Sequence, residues 1–397
     1  MKPVLILLLA VFSWSMDSRY YLYGEISTDP FLKVCPENPS LSKNPVFPYR
    51  IGYIPENFDS NLDYITIGAL DEFNSGVFKG KDMKYILENF YTMDTSAKAA
   101  VLQAQMADQA PRLQKYMDLY FKTFPDRNFY VEIANEPNVY PSMSPELYAR
   151  YYVNWMKQIQ GMSFPRGQVK LLMAGLWNFE GLPKALLGTI RAGQKVYELK
   201  NPKFDPIILN TEKYYTRVFA EMRKLGFEPK NIIDIGNLHW YPYVDVGSDF
   251  SRKQHEAWIN SMIDLVSQNS GTGKVWITEV GNVNPNMSDL QVAWFLKDFV
   301  FEIWQTRKVV ERWYYFKNTG EDDKLNGRTS VLGLKAPLQG LTQDGNVRAL
   351  GRQYLALASG EPCGEAVQAP FDWKIGLLVG VGLVLAGLAF LWLPFQI

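Results

Sequence analysis

Histidine and cysteine are the scarcest reactive residues in this chain of 397: two of each, His239, His255, Cys35 and Cys363. None of them has the close spacing of a zinc site, so neither a metal nor any other cofactor is expected. Net charge is absent too, with 41 basic residues against 41 acidic ones. That balance leaves no basic footprint for nucleic acid. No Gly-rich phosphate loop follows the first predicted strand, which argues against a nucleotide-binding sheet. No Ser-centred nucleophile elbow occurs. The acidic run Glu321-Asp322-Asp323 reads as a solvated loop rather than a calcium site, and there is no internal repeat.

Apolar and aromatic residues, by contrast, are plentiful. A hydrophobic share of 47% supports a large core, and 11 Trp with 23 Tyr exceed what a core alone needs. Both ends of the chain look membrane-directed. Residues 1–15 combine Lys2 with a short apolar run and the small residues Ser13 and Ser15, the pattern of a secretory signal peptide. Ile375 to Leu393 is uncharged and close to the ~20 residues of a spanning helix. It contains a Gly376/Gly380 pair at GxxxG spacing. A processed lipid-anchor signal is the alternative for this end. Either way, an exported, membrane-anchored protein is expected, with the membrane as a partner through the C-terminal helix and a monomeric body outside.

Between Tyr49 and Gly360 short apolar runs alternate with helical patterns, the signature of βα units. Eight strands are predicted: Arg50–Ile54, Tyr64–Ala69, Tyr85–Glu88, Phe129–Ala134, Val169–Ala174, Ile232–Leu238, Val275–Thr278 and Arg312–Phe316. Helices are expected over Thr95–Phe124 (interrupted by Pro111), from Ser144 onward, and over Tyr214–Leu225, Gln254–Ser267, Leu290–Gln305 and Val347–Ala358. The fold class is therefore α/β, a (β/α)8 TIM barrel, with an open doubly wound sheet as the structural alternative. The organisation reads as signal peptide 1–15, N-terminal extension 16–48, barrel 49–360, linker 361–374 and transmembrane anchor 375–393. Cys35 and Cys363 would both lie at the bottom of such a barrel, where a disulfide could staple its ends.

Two strands deliver acids. Phe129-Tyr-Val-Glu-Ile-Ala-Asn-Glu-Pro-Asn138 ends at Pro137, which cannot donate to the sheet, and leaves Glu136 on the rim. Lys274-Val-Trp-Ile-Thr-Glu-Val-Gly281 places Glu279 at the top of the seventh predicted strand. Each acid alone could merely cap a helix. Together, across one barrel mouth, they form the carboxyl pair needed for glycoside hydrolysis, about 5 Å apart when the reaction retains configuration. Flat aromatic rings also stack well on sugars, and packing between barrel strands and helices uses the rest of them.

These motifs resemble clan A of the glycoside hydrolases, with Asn135-Glu136-Pro137 after the fourth strand and Thr278-Glu279-Val280-Gly281 after the seventh. His239-Trp240-Tyr241 after the sixth strand is similar as well. The wording is most similar to the β-1,3-glucanases of family 128, with similarity to families 5 and 39. The resemblance implies Glu136 as general acid/base and Glu279 as nucleophile. It also implies that His239 and Tyr241 point into the site, the Tyr hydroxyl bonding the nucleophile, and that Asn135 holds the sugar 2-hydroxyl. Trp177, Trp240 and Tyr315 are candidate sugar platforms, with core packing as the equal alternative, and Asn89 is a candidate polar rim residue. The expected partner is a β-linked polysaccharide or oligosaccharide. A carbohydrate-binding pseudoenzyme and a transglycosylase are the alternatives.

Overall fold

The computed structural model describes residues 93–138, 143–165, 167–178, 210–242, 249–281 and 306–315, parts of 54–68, and short pieces at 20–23, 49–50, 342–343 and 346–347, with a few single positions besides. The predicted signal peptide, the strand at Tyr85–Glu88, the anchor at 375–393, Asn89, Cys35 and Cys363 lie outside the described residues. Among the described residues no helix is long and apolar enough to cross a membrane.

Eight strands run parallel: β1 (Tyr20–Tyr23), β2 (Tyr49–Arg50), β3 (Tyr64–Ile67), β4 (Phe129–Ile133), β5 (Val169–Met173), β6 (Gly236–Trp240), β7 (Val275–Val280) and β8 (Val310–Tyr315). Pairing follows the order β2-β1-β8-β7-β6 in one arc and β3-β4-β5 in the other. A parallel bridge from Leu172 to Ile235 joins β5 to β6, and β2 lies beside β3. That is the ring order of a (β/α)8 barrel.

Two strands differ from the sequence reading. Tyr20–Tyr23, placed in the N-terminal extension, is the first barrel strand, in parallel register with Trp313, Tyr314 and Tyr315 of β8. Its four residues are too short a signal beside the expected cleavage site to stand out. Tyr64–Ile67 pairs directly with Tyr130–Ile133, leaving no place for another strand between them. With Tyr20–Tyr23 in the ring and β3 beside β4, strands four to eight keep their predicted places.

The helices form where the sequence caps them. Helix α1 (Thr95–Thr123) starts at Asp94, whose carboxylate accepts from the backbone N–H of Ser96 and Ala97. Pro111 does not break it: the residue lies on the exposed face, where water can serve the carbonyl that a proline leaves unmatched. Helix α2 (Pro145–Gln160) has Ser144 as cap, Pro145 in the first turn and Glu146 beside it. Helix α3 (Thr211–Lys224) is capped by Asn210. A short turn of helix, α4 (Pro229–Ile232), precedes the segment predicted as strand six and takes only its first residue, Ile232; Pro229 favours the helical first turn. Helix α5 (Asp249–Gln268) follows β6.

Strand alternation sorts the side chains into two clusters. Ile65, Val131, Leu171, Leu238, Ile277 and Trp313 face outward and join the helices in the main core. Tyr64, Leu172, Trp276 and Tyr314 face inward and fill the barrel, with Tyr130 against them. The interior becomes more polar toward the strands' carboxyl ends, where Thr66, Glu132, Asn237 and Thr278 are all fully buried.

Candidate active site

Alternation alone would not bring both acids to the barrel mouth. In β7, Trp276 and Thr278 face inward, so Glu279 should face the helices. The register with β6 shifts between Leu238 and His239, setting His239 opposite Glu279 rather than Thr278. This bulge turns Glu279 back into the barrel, and Val280 returns to the outer core. The end of β4 uses a different device. Ala134 and Glu136 take left-handed backbone angles, φ 69° and 41°, which non-glycine residues adopt only at a cost of order 1–3 kcal/mol. The Glu136 N–H then donates to the Gly175 carbonyl at 3.1 Å, fixing the strained turn against β5.

The result is a tight cluster. His239 Nδ1 lies 2.9 Å from Glu136 Oε1 and 3.5 Å from Glu279 Oε2. Tyr241 donates its hydroxyl to Glu279 Oε2 at 2.6 Å. One donor atom from each of Glu136, His239 and Glu279 lies within 4.8 Å of the others. Both carboxylates are nearly buried, at 5% and 4% exposure. These three are the group among the described residues whose atoms could converge on a metal ion, a grouping that sequence spacing did not reveal. In this structure His239 Nδ1 lies between the two carboxylates, and Tyr241 donates to Glu279.

Beneath the cluster sits a third acid, within the β4 motif but not among the candidates that the sequence marks. Glu132 is completely buried. Its Oε2 accepts from Tyr64 (2.5 Å) and Thr66 (2.9 Å), and its Oε1 from the Gly175 N–H (3.0 Å) and Asn237 Nδ2 (2.7 Å). Asn237 in turn accepts from Thr278 at 2.8 Å, directly before Glu279. Four donors on one carboxylate satisfy the demand of a buried charge. The available signal was an acid inside an otherwise apolar strand. Gly175 packs so closely that a Cβ there would lie 2.0 Å from His239 Cδ2.

Helices reach in to hold these strand ends. Tyr148 of α2 donates to the Ile133 carbonyl and accepts from the Ala174 N–H. Tyr215 of α3 lies within hydrogen-bond reach of the Ala174 and Asn237 carbonyls and accepts from the Leu176 N–H. Burial pushes both phenols above their ordinary pKa, so they stay neutral. Part of the aromatic excess is therefore scaffolding.

The remaining candidates divide. Asn135 is half-buried beside Glu136. Trp177 is half-buried and its ring stacks on Tyr241. Trp240 is fully buried in the outer core, so the proposal of a sugar platform there is corrected: alternation turns it away from the mouth. Tyr315 ends β8, its backbone opposite Leu22 and Val280.

A family-model comparison agrees with the glycoside hydrolase reading of the motifs. Residues 187–354 match the family model described as the glycosyl hydrolase catalytic core. The matched segment contains His239, Tyr241 and Glu279, while Glu136 lies outside it. No curated protein matches the sequence. Among solved structures, a GH128 (subgroup II) endo-β-1,3-glucanase from Sorangium cellulosum is similar at 15% identity and TM-score 0.40, over 81% of this chain and 99% of that one. A GH128 (subgroup IV) endo-β-1,3-glucanase from Lentinula edodes shows 11% identity and TM-score 0.45, over 85% and 99%. The GH39 enzyme from Xanthomonas axonopodis pv. citri shows 12% identity and TM-score 0.45, over 90% and 68%. The chain thus carries a glycosyl hydrolase catalytic core, with a carboxyl pair and a histidine gathered at the mouth of its barrel.

Proposed function

We propose that this protein hydrolyses β-linked polysaccharide with retention of configuration, Glu136 acting as general acid/base and Glu279 as nucleophile. The observation that supports this most is the placement of the two carboxylates just after β4 and at the end of β7, one oxygen of each within 4.8 Å. Such closeness suits direct attack and leaves little room for a water between enzyme and sugar. Tyr241 donates its hydroxyl to Glu279, which favours the ionised form of that carboxylate. Two carboxylates this close disfavour double ionisation, and with the Tyr241 donor on Glu279 the proton is assigned to Glu136, whose Oε1 can donate it to His239 Nδ1 at 2.9 Å.

In the first step a Glu279 oxygen bonds to the anomeric carbon as the glycosidic C–O bond breaks. Glu136 gives its proton to the departing oxygen. In the second, water attacks the same carbon, Glu136 takes a water proton, and the Glu279 ester bond breaks. Asn135 would hold the 2-hydroxyl. The first substrate to try is a β-1,3-glucan, because the motif wording is nearest to that of such enzymes. The signal-like start and apolar end support a site of action outside the cell, at its surface.

The test is an assay of the full chain in detergent against β-1,3-, β-1,4- and mixed-linkage glucans, mannans and xylans, with anomers followed by NMR. A β product from a β substrate is expected. An inverted first product, or binding without cleavage, would overturn the proposal. Activity is expected to survive a chelator, and its loss would favour the metal-binding reading of the three side chains.

A further inference from the structure

The segment after β5 is expected from sequence to offer Trp177 to a sugar. Its contacts point elsewhere. The Asn138 side chain makes two bonds to the Trp177 backbone: Nδ2 donates to its carbonyl at 2.8 Å, and Oδ1 accepts from its N–H at 3.1 Å. Asn138 is fully buried and directly follows Glu136-Pro137. The next residue, Asn178, is also buried and accepts the Tyr241 N–H at 2.8 Å. The Trp177 ring lies on the Tyr241 ring with centroids 5.2 Å apart and planes 20° off parallel, within the favoured range for offset stacking. Tyr241 is thus gripped at its backbone by residue 178 and at its ring by residue 177. Its hydroxyl ends 2.6 Å from Glu279.

We infer that Trp177 is a positioning residue for Tyr241, and through it for Glu279, with Asn138 anchoring the clamp to the loop that carries Glu136. One continuous set of contacts then runs from the acid/base loop, across the β5 loop, to the partner of the nucleophile. The geometry suits this role: Tyr241 has free rotation about its side-chain bonds unless a neighbour blocks it, and the stacked indole occupies one face of its ring. A hydroxyl that strays from Glu279 no longer stabilises the ionised carboxylate, and misplacement by ~1 Å can cost ~10²-fold in rate. The inference rests on the hydrolase reading above.

A double-mutant cycle tests it, using kcat and KM on laminarihexaose for the full chain. Trp177→Ala is expected to lower kcat about 10–100-fold with KM within about threefold, and Trp177→Phe, which keeps a ring, to recover most of it. In a Tyr241→Phe background, where the hydroxyl is already gone, Trp177→Ala should lower kcat less than about twofold further. Asn138→Ala should repeat that dependence from the other end of the clamp, and keeps the test alive if Trp177→Ala misfolds. Full additivity of the cycle overturns the inference. So does a raised KM with kcat kept, which would make Trp177 a sugar platform.

Calorimetry with laminarihexaose on Glu279→Gln protein asks the same question without turnover. Unchanged affinity on adding Trp177→Ala supports positioning, and a tenfold loss overturns it. Failure of the hydrolase reading shows separately, as folded wild-type protein that cleaves no glycan.

Discussion

The two ends of the barrel solve opposite problems with similar side chains. At the bottom, Arg312 lies 4.2 Å from the Trp276 ring and 4.7 Å from the Tyr130 ring, and 3.0 Å from Asp63. One cation meets one anion, and aromatic faces surround it. At the top, Glu136 and Glu279 share one imidazole, with Glu132 buried just beneath, its Oε1 4.0 Å from His239 Nε2. Here acids outnumber the basic group, and two residues of the β4 turn hold left-handed angles. The bottom is arranged for stability. The top keeps like charges close, which costs stability and is useful only if they do chemistry.

The contrast is largest at Glu279, the proposed nucleophile. Glu279→Gln is expected to lower turnover on the order of 10⁴-fold, the scale seen when one member of a catalytic set is removed. Glu136→Gln should cost about 10²–10⁴-fold, as for a lost general acid, and less on substrates with good leaving groups. Neither variant should unfold: Glu279→Gln removes a crowded charge, and Glu136→Gln replaces a protonated carboxyl with an amide of the same shape. If hydrolysis persists in Glu279→Gln, the assignment of the nucleophile is wrong. Next in size is Gly175→Ala. Its Cβ would meet the His239 ring at 2.0 Å, so the imidazole must shift from between the two acids. A rate loss of about 10²-fold is expected, together with altered His239 NMR signals. The assignment is simple in a chain with two histidines. Unmoved His239 signals would show that the ring is not held by Gly175.

At the other end the expectation reverses. Arg312→Met should leave kcat within about twofold yet lower unfolding free energy by about 2 kcal/mol, because Asp63 stays behind with its partner gone. Urea unfolding measures this. A large kcat loss with stability intact would erase the division between the two ends.

Much of this contrast was visible in the sequence, and the reasons for the rest are physical. Glu136 and Glu279 stood out because each ends an apolar strand, and His239 because histidine is scarce. The gathering of Glu136, His239 and Glu279 depends on a one-residue bulge in β7 and left-handed turns at Ala134 and Glu136, neither of which leaves a compositional mark. For Trp240 the sequence leaves sugar platform and core packing equally open, and its place between the inward-pointing His239 and Tyr241 puts it on the core side. Strand β1 escaped notice because four residues carry no period. Glu132 was legible as an acid in an apolar strand, but its four donors come from β3, β6 and the end of β5, far apart in the chain.

The smallest expected effect comes from a buried charge at neither end, and sharpens the comparison by showing what such a charge does with no site to serve. Lys98 on α1 is 8% exposed, with its ammonium 5.4 Å from the Phe90 ring centre. Burial lowers its pKa from 10.5 to about 8. The unfolded chain therefore binds more protons than the folded one between pH 8 and 10.5, so this residue makes stability rise across that window. Below pH 8 it imposes a constant cost. Lys98→Met should gain about 1 kcal/mol at pH 7, since the lost contact with the ring offsets part of the relief from desolvation. The gain should shrink toward pH 10 as wild-type Lys98 gives up its proton. Urea unfolding at pH 7 and pH 9.5 measures both values. A variant less stable than wild type at pH 7 would mean that the ring and its other neighbours outweigh burial, and that a buried charge away from the site need not be a liability.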